Sequence, residues 1–222
     1  MNRPALQHKH LAALILIAAS LPSSANEGSA SATLSIEGVI KPKPCNPQFD
    51  NGGKIDFGSL DLSTLANGND PIKVGERNVE FQVFCAQAAK VRVRVKDERP
   101  NTAIPSVSSL DERFHYGLGM NGQNKVGSYH IKILATGAAG NGDTVRMTAS
   151  DGTQANWHTP AQSYAASDRW LAWAPASGDM PGAFKTFKVG LAVEVHLPPI
   201  DQLNLGEDIR LDGVSTFELK YE

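Results

Sequence analysis

Short runs of alternating apolar and polar residues, separated by turn-forming clusters, make up most of this chain. Val79, Phe81 and Val83 alternate with Glu80 and Gln82, and Val91, Val93 and Val95 alternate with Lys90, Arg92, Arg94 and Lys96. Phe187, Val189, Leu191, Val193 and Val195 share one parity, as do Phe217, Leu219 and Tyr221 near the end of the sequence. A period of two puts the apolar residues of each run on one face of a strand and the polar ones on the other. Between the runs stand Asn51-Gly52-Gly53, Asn67-Gly68-Asn69-Asp70-Pro71, Asn141-Gly142-Asp143 and Asp151-Gly152, the residue types that tight turns require. Helical spacing is nearly absent; the best candidate is an Ala-rich stretch over residues 160–169, one turn or two. The pattern predicts an all-β protein, an antiparallel sandwich. Residues 98–113 and 151–182 are the least regular and read as long connections or insertions between strands.

The first residues break this pattern. Residues 1–10 contain Arg3 and Lys9 and no acid, residues 11–21 (LAALILIAASL) are apolar, and Pro22, Ser23, Ser24 and Ala25 follow. A charged start, a short apolar middle and a small-residue exit read as a cleaved secretory signal. The run falls short of the ~20 apolar residues that a membrane span needs. The expected organisation is a signal peptide over 1–25, an N-terminal extension over 26–36 and one sandwich domain over 37–222, with the protein exported. Loss of the signal removes two bases and no acid, taking the formal charge from −2 to about −4. That balance excludes the basic footprint of a nucleic-acid partner. Cys45 and Cys85 both lie in the exported part, where two thiols in one chain pair. A metal site is the alternative, but two cysteines without a nearby histidine fall short of four ligands.

Directly after the signal, Gly28, Ala30, Ala32, Leu34 and Ile36 alternate with Glu27, Ser29, Ser31, Thr33, Ser35 and Glu37. Chain ends are normally irregular, so a long alternation here is informative. Its apolar face is small at the start and bulky at the end. It fits two arrangements equally: the first strand of the sandwich itself, or a strand donated to another molecule.

The segment ATLSIEGVIKPKPC (residues 32–45), a second cysteine at Cys85 and a terminal alternating strand with penultimate Tyr221 resemble the subunits of chaperone–usher fimbriae. FHYGLGMNGQNKVGSYHIKI (residues 114–133) and RLDGVSTFELKY (residues 210–221) are closer still to a group of exported proteobacterial proteins related to β-fimbrial major subunits. The resemblance implies an immunoglobulin-like, pilin-type sandwich that lacks its last strand, with inserted loops. It implies a structural and interaction role: a fimbrial subunit that accepts one strand and donates another, in the periplasm or in a cell-surface fimbria. The implied partners are a periplasmic chaperone, an outer-membrane usher and other fimbrial subunits. Gly28, Ala30, Ala32, Leu34 and Ile36 would then be the donor face. Phe217, Leu219 and Tyr221 would form the strand that borders the groove and pairs with the chaperone, and Cys45–Cys85 would tie the first strand to the second. The chain departs from the family in its greater length, mainly through residues 98–182, and in Ala32 where a family donor often has glycine.

Other motifs change the picture less. Gly117-Leu118-Gly119-Met120-Asn121-Gly122 matches a dinucleotide fingerprint, which works only where it opens a helix after a strand. Here a strand-like run, 126–134, follows, and the motif reads as a glycine-rich turn. G-x-S-x-G and H-E-x-x-H are absent. His115, His130, His158 and His196 are scattered, with no two at i, i+4, and read as surface or strand residues. No enzyme activity, catalytic residue, cofactor or metal site is expected. The Lys90–Lys96 stripe reads as the solvent face of one strand. Trp157, Tyr164, Trp170 and Trp173 cluster in an irregular region and read as a roof over one end of the core. The alternative is an adhesin-like surface on which these rings would stack against a glycan.

Overall fold

The computed structural model describes residues 30–40, 44–65, 68–152 and 156–221. The signal-like residues 1–25, and Gly28 of the N-terminal alternation, lie outside them. The chain divides into two units, residues 1–40 and 41–222. Residues 30–40 of the first carry no regular secondary structure and are exposed throughout.

The second unit is an all-β, immunoglobulin-like antiparallel sandwich, as the alternation predicts. Its strands are β1 (Cys45–Phe49), β2 (Ile72–Asp97), β3 (Tyr116–Gly117), β4 (Met120–Asn121), β5 (Asn124–Lys125), β6 (Ser128–Gly140), β7 (Asp143–Thr144), β8 (Arg146–Asp151), β9 (Arg169–Ala174), β10 (Ala183–Leu197) and β11 (Ser215–Tyr221). β2 belongs to both layers. Its first half lies between β1 and β10, and the layer continues through β6 to β3. Its second half lies between β11 and β9, and that layer ends at β8. The crossing falls near residues 84–90, where no residue is buried, between the buried sets Val79, Phe81, Val83 and Val91, Val93, Val95.

Odd-numbered residues of β2, β6 and β10 meet inward-facing residues of β8 and β9 in the core. Trp173 is at its centre, stacked on Phe81 at 6.4 Å and edge-on to Phe187 at 5.2 Å, with its indole N–H donating to the Lys188 carbonyl at 2.8 Å. Burial of an indole without such an acceptor would leave a polar group unsatisfied.

Two expectations need correction. Residues 160–169 form no helix; they run as turns and isolated bridges, with Tyr164 bridged to Lys132 on β6. The α-helix among the described residues is the single turn α1 (Leu62–Leu65), where Asp61 accepts from the Ser63 N–H at 2.9 Å. The region 151–182 is not merely a connection, since it contains β9. All six residues of β9 are buried, so its sequence, RWLAWA, shows no alternation. A strand covered on both faces loses the period-two signal. The glycine-rich segment 117–122 opens no helix: it runs from the end of β3 through β4 into the turn of the β4–β5 hairpin.

Candidate functional site

The inward parity of β11 is set by its register on β2: Phe217 faces Val95, Leu219 faces Val93 and Tyr221 faces Val91. All three side chains are half-buried against the core. β11 pairs with β2 on one side only; among the described residues no strand pairs with its other edge. The same holds for β1, which is joined to β2 by ladder bonds and by the Cys45–Cys85 disulfide, a pair directly opposite in register. The two sandwich layers thus present adjacent edge strands with backbone N–H and C=O groups left over. Such edges are pairing templates unless something covers them.

Between these edges lies an apolar groove of about 160 Å³. Phe49 and Phe57 stand on one rim, Ser215 and Phe217 on the other, and Val79, Ile131 and Leu191 form the floor. At one end the rims meet, with Phe217 edge-on to Phe49 at 5.0 Å and both rings within 5.1 Å of Phe81. Among the described residues, no charged side chain lines the groove. The polar side chains in its wall are Tyr129 and Ser215, and their hydroxyls hydrogen-bond each other. Burial pushes the Tyr129 phenol far above its ordinary range, so it stays neutral. The chemistry the groove offers is therefore apolar side-chain burial, with main-chain hydrogen bonding along its edges.

The described part of the N-terminal alternation supplies matching features. Leu34 and Ile36 are 85% and 89% exposed, with Val39 and Ile40 similarly bare. Four large apolar residues in seven positions, none covered, form the most solvent-exposed apolar run among the described residues.

The tryptophan surface is not assembled. Trp173 (1% exposed) is core, and Trp170 (4% exposed) lies on the other face of β9 beneath Arg94, Lys220 and Arg92, whose charged groups sit 4.9, 5.1 and 5.5 Å from its ring. Trp157 and Tyr164 are half-buried, and Tyr164 packs on Phe114 at 5.9 Å. Four aromatics close in sequence point in different directions because three of them lie on or beside strands whose faces alternate. The Lys90–Lys96 stripe is the outer face of β2, with two of its cations resting on Trp170 and Arg94 paired to Glu218 at 2.6 Å.

The histidines are less scattered than their numbering. His115, His130 and His196 come together on the outer face of the first layer, with ring centroids 4.5 and 4.9 Å apart for successive pairs; His158 is elsewhere and exposed. Helical i, i+4 spacing was the wrong template. On a strand the informative signal is i, i+2, which Glu194 and His196 satisfy.

The fold and groove define a class: an antiparallel sandwich, disulfide-tied at its first strand, with an apolar cleft open between two edge strands. Residues 34–145 match the family described as "Protein of unknown function (DUF1120)", and the chain belongs to that family. It is also similar to "Uncharacterized protein YhcF" of Escherichia coli (strain K12), 22% identical over 227 residues, covering 85% of this chain and 90% of that one.

Proposed function

We propose that this is an exported structural protein of the fimbrial-subunit type that accepts a strand into its groove and donates its own N-terminal segment to another subunit. A periplasmic chaperone would occupy the groove before assembly at an outer-membrane usher. The observation that carries the reading is the groove between unpaired edges, lined by no charged side chain among the described residues, in a chain that also holds an exposed segment of alternating apolar and polar residues. Strand addition uses both features: main-chain bonds to the edge give affinity, and alternate side chains filling pockets give specificity. The dimensions agree. The seven residues of β11 span about 23 Å at ~3.3 Å per residue, and seven or eight residues of the N-terminal segment cover the same length. The disulfide fits the reading, because it fixes the rim strand that an incoming strand would press against.

The test is assembly by the chaperone-bound full chain, read as ladders in non-boiled electrophoresis. Leu34→Asp and Ile36→Asp should abolish the ladder, because a carboxylate buried without a partner in an apolar groove costs several kcal/mol. Ser35→Asp, of opposite parity, should leave it intact. Equal assembly by all three variants would refute donation by residues 26–36. Misfolding of the Leu34 and Ile36 variants while still chaperone-bound would identify the segment as the sandwich's own first strand.

A further inference from the structure

The outer face of the first sandwich layer carries a second cluster, turned away from the groove because its residues have the opposite parity. His130 on β6 and Glu194 on β10 are directly opposite in register, and His196 follows Glu194 by two residues on the same face. One ligand atom from each of the three lies within 4.8 Å of the others. His130 is fully buried and Glu194 is 6% exposed. A strand pair delivers such a set rigidly, since the ladder fixes both backbones.

The neighbours of His130 determine which nitrogen is available. His115 Nδ1 lies 3.1 Å from the Asp111 carbonyl and must donate to it, so its Nε2 accepts from the Ser108 hydroxyl at 3.0 Å. With that proton committed, Ser108 Oγ accepts from His130 Nε2 at 3.3 Å. This network assigns the His130 proton to Nε2 and leaves the lone pair on Nδ1. Nδ1 is buried and has no hydrogen-bond partner among the described residues. A buried acceptor left unpaired calls for an explanation, and a metal ion would provide one.

We propose that His130, Glu194 and His196 form a binding site for a borderline divalent transition cation of the zinc type. Two imidazoles and one carboxylate are the donor set such ions take, whereas magnesium and calcium prefer all-oxygen shells. The Ser108 and His115 relay supplies the outer hydrogen bonding that orients a ligating imidazole. Bonds of about 2.0–2.2 Å require the three ligand atoms to draw together by roughly an ångström, a small adjustment for Glu194 and His196. Three protein ligands leave a fourth position for water. Burial first, then the neighbouring His115, His196 and Lys73, hold the His130 imidazole down at about 3, so it is neutral near pH 7. Two cations oppose the site: Lys132 and Lys73 stand 3.8 and 4.0 Å from the Glu194 carboxylate. Both contacts are long and both side chains are about half in solvent, so either can turn outward when a dication arrives.

The experiment is titration of the full chain, prepared without a polyhistidine tag, with Zn²⁺ against a chromophoric chelator. One Zn²⁺ should bind with an affinity that falls at least tenfold in His196→Ala and in Glu194→Gln and is unchanged in His158→Ala. Imidazole resonances of His130 and His196 in the unaltered protein should shift on Zn²⁺ addition, a readout that does not depend on the variants folding. Absence of binding at micromolar Zn²⁺, equal affinity in all variants, or unmoved His130 and His196 resonances would each overturn the proposal.

Discussion

Gly117 sits where β3 turns toward the β4–β5 hairpin, and a methyl group there would meet the Arg99 carbonyl oxygen at 2.5 Å and the Ala103 nitrogen at 3.0 Å. Its N–H donates to Asp97 at 2.9 Å, and Gly119, at φ +85°, donates to the Thr102 hydroxyl at 3.1 Å. The glycines of the apparent nucleotide fingerprint therefore serve close backbone approach and a left-handed turn. Gly117→Ala should cost about 1–3 kcal/mol by urea denaturation, since backbone atoms cannot yield as side-chain ends do. The histidines make a separate residue-scale prediction. Burial is the largest cause lowering His115, His130 and His196, and it takes His130 to about 3. Unfolded, each titrates near ~6.5, so below that pH the unfolded chain binds more protons than the folded one and stability falls. Each histidine contributes a slope of up to ~1.4 kcal/mol per pH unit. Asp151, Asp212 and Glu218, held low chiefly by hydrogen bonds from Arg169, Arg99 and Arg94, lose their contribution only as pH falls below about 4.5. Denaturation between pH 7 and 4.5, with a chelator present, should show a decline that is shallower in a His130→Gln protein.

At the scale of elements, β9 and β1 hold the two layers in register with β2. Trp173 on β9 reaches across to the rings of Phe81 on β2 and Phe187 on β10 in the facing layer, and its indole N–H is bonded to a β10 carbonyl. Trp173→Ala should cost ~3–5 kcal/mol. Trp170→Ala, which uncovers only the cation-lined outer face, should cost less, and paired urea melts would reveal the difference. β1 has only five residues and pairs with β2 alone, so the disulfide at its first position offsets the weakness of a short edge strand. Cys85→Ser should lower stability by ~2–5 kcal/mol and free the groove's rim. Non-reducing peptide mapping of the unaltered protein should recover Cys45 linked to Cys85.

For the whole molecule the unfilled groove dominates. A sandwich with apolar floor and two bare edges is under pressure to pair with whatever strand is present. In the proposed exchange the Ile36→Asp chain, unable to donate, still keeps an acceptor groove. A synthetic peptide of residues 28–40 should then raise its melting temperature, with stabilisation near 2.7 kcal/mol at a hundredfold excess over Kd. The same peptide with Leu34 and Ile36 replaced by Ser should do nothing. An unchanged melting temperature with both peptides would show that the groove does not accept this strand.

The parity of β2, β10 and β11, the β-class of the fold and the partnering of Cys45 with Cys85 were legible in the chain. Each is local or depends on only two residues, and period-two alternation survives wherever one face meets water. β9 was hidden because both its faces are covered, and the supposed helix at 160–169 was composition without periodicity. The aromatic group failed as a surface for the same reason that the histidine group formed one. Neighbours in sequence on a strand point to opposite faces, whereas His130 and Glu194, 64 positions apart, are brought opposite each other only by the β6–β10 register. That register, like the cleft between β1 and β11, is a property of paired strands. Alternation states which face of each strand is apolar; the partner and offset of each strand are decided by the packing of all of them together.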